Sequence, residues 1–391
     1  MKVLHVITGL GIGGAEQQLR LLLRHLPVRS GVVTLTNPGA VADGIEADGT
    51  PVTHLGMTGN RDVGALPRLT RLIRQGGYDL VHTHLYRACV YGRPAARLAG
   101  VRSVIATEHS LGDVQIEGRP LSAGTRALYL ATERLGTSTV AVSPSVARRL
   151  ADWGVAPSRI RVVPNGIETA RFAFDPRART MTRAALGLPA DAFVVGGVGR
   201  LTAGKRFDRL VRAVASVPEA RLLLVGEGDR RAELLRLAGE CGAAGRVLLA
   251  GAFPDPPTGP AGGRPDLPSL LAAMDVFVST SPDETFGLAV VEALAAGLPA
   301  LYVACPAIDD LPAGAAPGAR RIGPDVPELA GALRELLAAR GARGAGASGN
   351  PGPPGRLPPP EAVRRYDIAH SARQLLTLYH QAVHGPRPSV K

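Results

Sequence analysis

The chain has 391 residues, more than one hydrophobic core usually serves, so two domains are expected. Hydrophobic residues make up 45% and charged residues 20%, a globular composition, and no apolar run reaches the roughly 18 residues that a membrane-crossing helix needs. The formal net charge of +12 fits attraction to phosphate-bearing substrates or an anionic membrane surface, and equally an arginine-rich composition with no such role; with aromatics at 4% and no basic helix, nucleic acid is a poor fit.

In chain order, Val3–Ile7 reads as a first buried strand rather than a secretory signal. The glycine loop after it, Thr8 to Glu16, leads into a helical pattern over Ala15–Leu26 with leucines at 19, 22, 23 and 26. Gly9, Gly11 and Gly14 fit the Gly-x-Gly-x-x-Gly dinucleotide fingerprint, but the next strand, Gly31–Leu35, ends in Thr36-Asn37, without the acidic residue that would hold a ribose. Further strands are expected at Leu80–His82, Val104–Ala106 and Thr139–Val142. His82 and His84 share one strand face, a metal pair for which the sequence offers no third ligand at suitable spacing. His109, just past the carboxyl end of a strand, is placed to hydrogen-bond a ligand, or is a plain loop histidine. The rhythm pauses between Pro164 and Pro189, where Pro164-Asn165-Gly166 signals a turn. It restarts at Phe193–Gly199 and continues through Leu222–Val225, Val247–Ala250 and Val276–Ser279. Such alternation predicts parallel sheets covered on both faces, in two similar domains joined near residue 170. Pro254–Pro268 reads as a Pro/Gly loop and Gly341–Pro360 as low-complexity chain without regular structure; Glu361–His384 is helical in pattern, striped by Ile368, Leu375, Leu376, Leu378 and Tyr379. Cys89, Cys241 and Cys305 fit no disulfide or zinc spacing, which suits a reduced cytoplasm.

Three segments of the second half carry charge where ligands bind. In Gly199-Arg200-Leu201-Thr202-Ala203-Gly204-Lys205, Arg200 can fork onto two phosphate oxygens and Lys205 supply a point charge; the plain alternative is a solvated basic turn. Gly226-Glu227-Gly228-Asp229 ends a strand. Glu284-Thr285-Phe286-Gly287-Leu288 precedes a helix expected to begin about Phe286, at the carboxyl end of a strand. There the amides of Gly287 and Leu288 can meet a diphosphate, helped by the helix dipole, and Glu292, two turns on, can reach a ribose. A capped amphipathic helix is the plain alternative.

The Glu284-x7-Glu292 segment resembles the most specific motif of glycosyltransferase family 4, and the resemblance covers nearly the whole chain. It implies an α/β protein of the GT-B fold, two Rossmann-like domains with parallel sheets facing across a cleft that closes on substrates. The divisions would be an acceptor-binding domain over 1–170, a nucleotide-sugar domain over 171–365, and a final helix, 366–391, packing back on the first domain. Catalytic roles would fall to His109, near the sugar O6, to Arg200 and Lys205 on the leaving diphosphate, and to Glu284 beside the sugar hydroxyls. Donor-binding residues would be Gly13, Gly14, Gly226, Glu227, Phe286, Gly287, Leu288 and Glu292, with the ribose on Glu292. The implied reaction is retaining and metal-independent, with no cofactor. The donor would be a nucleotide-sugar, UDP preferred. The acceptor would be a glycan, a lipid-linked glycan or a small natural product, handled in the cytoplasm or at the inner membrane face. No Asp-x-Asp anchors a metal-bound diphosphate, and neither an ATP-type phosphate loop nor a hydrolase Gly-x-Ser-x-Gly elbow occurs. Where the family continues into a second glycine-rich turn, this chain has Cys305-Pro306-Ala307-Ile308-Asp309-Asp310, which leaves sugar and base open. A dinucleotide-dependent oxidoreductase and a non-enzymatic glycan-binding relative are the rival readings, opposed by Asn37 and by the intact Arg200, Lys205, Glu284 and Glu292 respectively.

Overall fold

Unbroken apolar runs such as Val3-Leu4 and Val194-Val195 have no polar face to offer water, so they end up as central strands buried on both sides. The computed structural model describes residues 1–59, 62–112, 115–117, 119–253, 265–345 and 356–385, with side chains up to 340 in the fifth stretch. The chain divides into two compact units, Met1–Gly166 together with Tyr366–Lys391, and Ile167–Arg365.

The first unit contains strands β1 (Lys2–Gly9), β2 (Arg29–Asn37), β3 (Val52–His54), β4 (Leu80–His84), β5 (Ser103–Glu108), β6 (Gln115–Ile116), β7 (Arg119–Pro120), β8 (Ser138–Ala141) and β9 (Ile160–Val162). Seven form a parallel sheet in the order β3-β2-β1-β4-β5-β8-β9, while β6 and β7 pair separately as an antiparallel ribbon. Chain order reverses between β1 and β4, which makes their carboxyl ends the ligand-binding crevice of an open α/β sheet. Helices cover both faces, among them Gly14–His25, whose leucines pack as the periodicity predicts.

The returning C-terminal segment completes this unit. Glu361–His384 is broken into the short helix Glu361–Arg364 and the long helix Ile368–His384, with Asp367 capping the second through the Ala369 amide at 2.9 Å. Ile368, Leu375 and Tyr379 are buried against Val3, Leu80 and Ile105, and the Gly166 backbone lies so close to Ile368 that a side chain at 166 would clash.

The second unit holds β10 (Phe193–Val198), β11 (Ala220–Val225), β12 (Val247–Gly251), β13 (Val276–Ser279), β14 (Ala300–Tyr302) and β15 (Ala319–Arg321), all parallel, in the order β12-β11-β10-β13-β14-β15. Its order reverses between β10 and β13. Phe207, Leu210, Val211 and Val214 of the helix Phe207–Ala215 pack over Leu222 and Leu224 in one continuous core. A buried ion network ties the start of this unit to its sheet: Arg179 and Arg183 reach the two oxygens of Asp275 at 2.6 and 2.8 Å, and the Val194 amide donates to the same carboxylate at 2.8 Å.

The low-complexity expectation for Gly341–Pro360 needs correction at both ends. The helix Val326–Ala345 runs into it, because alanine and arginine sustain a helix whatever the complexity of the sequence. At the far end Arg356 donates to the carbonyls of Ala296, Leu271, Ala272 and Met274 and lies over the Phe174 ring. Residues 346–355, and 254–264 of the expected Pro/Gly loop, lie outside the described residues.

Candidate active site

In the second unit β10 and β13 are neighbours, Val195 pairing with Val276 and Gly196 with Phe277, so the loops that leave their carboxyl ends adjoin. The first loop carries Arg200 and Lys205, the second Glu284. Thr280 at the end of β13 donates its hydroxyl to the Lys205 carbonyl at 2.7 Å, fixing the turn beneath the lysine. The Lys205 ammonium donates to Glu284 Oε1 at 2.5 Å, with both side chains partly shielded from water. The sequence reading gave these residues separate tasks; the structure joins them. Arg200 is exposed, and its guanidinium has no ion pair or hydrogen bond among the described residues.

The Gly226 turn is laced to the Arg200 loop by the amides of Gly199 and Leu201, which donate to the carbonyls of Val225 and Glu227 at 2.9 and 2.8 Å. Gly226 has φ +140°, and a Cβ there would overlap the Gly199 carbonyl, so only glycine lets the two loops lie against each other. Glu227 points to an exposed position and pairs loosely with Arg231 at 3.6 Å.

The helix after Glu284 starts later than the sequence suggested. It spans Leu288–Ala295, with Gly287 as its N-cap at φ +94°, where a Cβ would collide with the Cys305 sulfur. Phe286 is buried outside the helix, its carbonyl accepting from the Ala307 amide at 2.9 Å. The reason is the turn: the left-handed Gly287 cannot sit inside a helix, so the helix begins beyond it. The Val290 amide donates to the Gly287 carbonyl at 3.0 Å, and the helix start carries the positive end of its dipole. Glu292 lies in its second turn, half-buried. Arg200, the Lys205–Glu284 pair and a helix start thus lie on the loops that leave one switch point, a chemistry suited to an anion.

In the first unit, the loop after β1 carries Gly13 as the N-cap of Gly14–His25, with no side-chain cap from that residue. Gly13 is half-exposed and Gly14 exposed. Asn37 turns its side chain back to the Gly39 amide at 2.9 Å. His109 follows β5 and is 7% exposed, so it is no surface-loop residue; burial lowers its pKa to about 4. Its neighbour Glu108 is fully buried, which raises its carboxyl to about 7 even though Ser110 donates to it through both amide and hydroxyl at 3.3 Å.

Behind His109 the structure assembles a histidine cluster that the sequence did not reveal. His5 of β1 pairs in register with His82 of β4, and ring nitrogens of His5, His82 and His84 lie within 4.8 Å of one another. The expectation that His82 and His84 lack a third partner is therefore corrected. The signal was a polar residue inside the apolar run Val3–Ile7, but only strand register, which spacing does not encode, sets it opposite His82. Both His82 nitrogens are occupied, by Tyr379 OH at 2.6 Å and Thr107 Oγ1 at 2.7 Å.

Two Rossmann-like α/β units with parallel sheets, each presenting its loops at a switch point, define the GT-B architecture of nucleotide-sugar transferases. Residues 12–171 match the family described as Glycosyltransferase Family 4 and residues 178–344 that described as Glycosyl transferases group 1, and the chain belongs to glycosyltransferase family 4. It is 35% identical over 260 residues to a D-inositol 3-phosphate glycosyltransferase of Acidothermus cellulolyticus, covering 60% of this chain and 54% of that one. It is 28% identical over 267 residues to an Escherichia coli UDP-Gal:alpha-D-GlcNAc-diphosphoundecaprenol alpha-1,3-galactosyltransferase, covering 66% of each. The matched region thus spans between about half and two thirds of the length of these relatives. Among solved structures, Anabaena HepE in complex with UDP and glucose superposes with a TM-score of 0.80 at 23% identity, covering 96% of this chain and 98% of that one, which shows the shared fold. Among the described residues no helix is long and apolar enough to cross a membrane.

Proposed function

We propose that the protein transfers a hexose from a nucleotide-sugar, with a UDP-sugar preferred, to a glycan or lipid-linked glycan in exopolysaccharide or cell-envelope biosynthesis. The observation that carries this reading is the Lys205–Glu284 bond, made between the two loops that leave β10 and β13 at the switch point. When the bond from sugar to phosphate breaks, negative charge grows on the departing diphosphate. Arg200, Lys205 and the amides of Gly287 and Leu288 stand where fixed positive charge can answer it, so no metal is required of the mechanism. Glu284 takes the sugar hydroxyls and orients Lys205, and Glu292 takes the ribose. Gly226, Glu227 and Phe286 border the donor. Within the first unit, His109 is assigned to a hydroxyl group and the Gly13 and Gly14 amides to an anion, on the strength of family membership. The stereochemical course is retention, on the strength of family membership. The +12 charge favours substrates at an anionic membrane surface.

The test is calorimetry with UDP- and GDP-sugars, with and without a chelator, followed by NMR of the product anomer. Heat with a UDP-sugar that survives chelation, and a product that keeps the donor's anomeric configuration, are the expected results. No heat with any nucleoside diphosphate sinks the reading.

A further inference from the structure

We propose that Asp309 is a positioning residue for the nucleotide-sugar: by holding the turn 305–309 in place, it aims the Gly287 amide that meets the diphosphate. The proposal rests on the role given to Gly287 above, and the test separates the two.

After β14 the chain turns into the short helix Pro306–Asp309, which lies against the loop that leaves β13. Two donors of this turn converge on one oxygen. The Ala307 amide donates to the Phe286 carbonyl at 2.9 Å, and the Cys305 thiol donates to the same carbonyl at 3.4 Å. All three residues are buried. The peptide that carries this carbonyl also carries the Gly287 N–H, and across a planar trans peptide the two groups point in opposite directions. Holding the oxygen toward the turn therefore directs the N–H away from it. The Cys305 sulfur also fills the space beside Gly287, so the peptide cannot shift toward the turn.

The turn itself is held by Asp309. Its Oδ2 accepts from the Cys305 amide at 3.0 Å, which closes the turn, and its Oδ1 accepts from the Tyr302 hydroxyl at 3.2 Å. Tyr302 is buried at the end of β14, in register with Ser279 of β13, so the turn is pinned to the strand pair from which the Glu284 loop also leaves. Each carboxylate oxygen already takes a donor of the chain, and Asp309 acts through the turn rather than on the sugar. Arg321 stands 3.8 Å from the carboxylate with an exposed side chain, a pair that adds little.

A plain structural cap is the competing role. It would cost stability and leave nucleotide affinity where it was.

Phe286-Gly287 is the only Phe-Gly step in the chain, so full-length protein labelled with 1-13C-phenylalanine and 15N-glycine gives a single carbonyl-to-amide NMR correlation, from this peptide alone. In the parent, saturating UDP is expected to shift the Gly287 amide. Asp309→Ala is expected to move the same correlation before nucleotide is added. It is also expected to weaken UDP binding roughly 10–100-fold in calorimetry, the loss of one hydrogen bond to a charged group. Donor KM rises in step, with acceptor KM unchanged. Asp309→Asn is expected to recover most of the loss, because the Asn oxygen can take the Cys305 amide while its NH2 donates to the Tyr302 oxygen. Tyr302→Phe, which keeps the Cys305 bond, covers the case in which Asp309→Ala does not fold; a smaller loss in the same direction is expected. An unmoved correlation, an unchanged UDP affinity, or equal losses in the Ala and Asn variants overturn the proposal and leave the role of Gly287 standing. If saturating UDP leaves the parent's Gly287 amide where it was, the diphosphate role of Gly287 falls and takes the proposal with it.

Discussion

The Lys205 ammonium and the Glu284 carboxylate, 79 positions apart in the chain, meet at 2.5 Å where β10 and β13 end. On the function proposed above, the carboxylate holds the ammonium in place and a bound diphosphate would share it. Lys205→Ala and Glu284→Ala are each expected to lower turnover by roughly 10²–10³. The double variant is expected to lose little beyond the worse single change, because the two act as one unit. Fully additive losses in the double-mutant cycle would show that they work apart.

Arg200 presents the opposite case, an exposed guanidinium held by nothing among the described residues. Arg200→Ala is expected to cut turnover by about 10²–10³ while the thermal midpoint stays unchanged. Arg200→Lys recovers only part, since a point charge cannot fork onto two phosphate oxygens. Transfer rates and melting curves measured side by side decide it.

Asp275 is 8% exposed and accepts from two arginines and one amide, so its removal leaves cations buried without a partner. Asp275→Ala is expected to cost about 3–5 kcal/mol in unfolding free energy, the usual result of breaking one side of a buried ion pair. A urea midpoint within error of the parent refutes the network's importance.

Stability is expected to fall on acidification from pH 7 to 5. His5 drops to about 3 and His109 to about 4, with His82 and His84 also well below 6.5, so unfolding near pH 5.5 takes up protons at all four. Glu108 works against them. Its carboxyl is raised to about 7, so it is protonated when folded and releases a proton on unfolding; that contribution is full below about 4.5 and fades as pH rises through 7. From these five groups, four taken up and one released give a net uptake of about three protons near pH 5.5. Unfolding calorimetry in buffers of different ionisation enthalpy counts them, and a net release contradicts the cluster's burial.

What the sequence made legible follows from the length and apolarity of each element. Val3–Ile7, Phe193–Val198 and Val276–Ser279 are central strands whose runs allow no other environment, and the glycine loops after the first two mark the switch points. The edge strands Val52–His54, Ile160–Val162 and Ala319–Arg321 escaped, because three residues with exposed side chains carry no period. At the candidate site each charged residue was legible from its place after a strand, but the Lys205–Glu284 bond and the cluster of His5, His82 and His84 were not. Both are products of which strand lies beside which, and adjacency in a parallel sheet is set by crossovers that local pattern does not record. The helix start was misplaced by two residues for a local reason: Gly287 takes a left-handed conformation, and the helix begins only beyond it.

The helix Ile368–His384 belongs to the unit that begins at Met1, although 199 residues of the other unit, Ile167–Arg365, separate them. During synthesis the first half therefore emerges with Val3, Leu80 and Ile105 lacking their cover, and it stays an unfinished fold until the last helix leaves the ribosome. A fragment stopped at Gly166 would expose that apolar strip and call for a chaperone, whereas the inner unit can mature first. Ribosome-stalled nascent chains of increasing length, probed with protease, would show protection of the early strands arriving last.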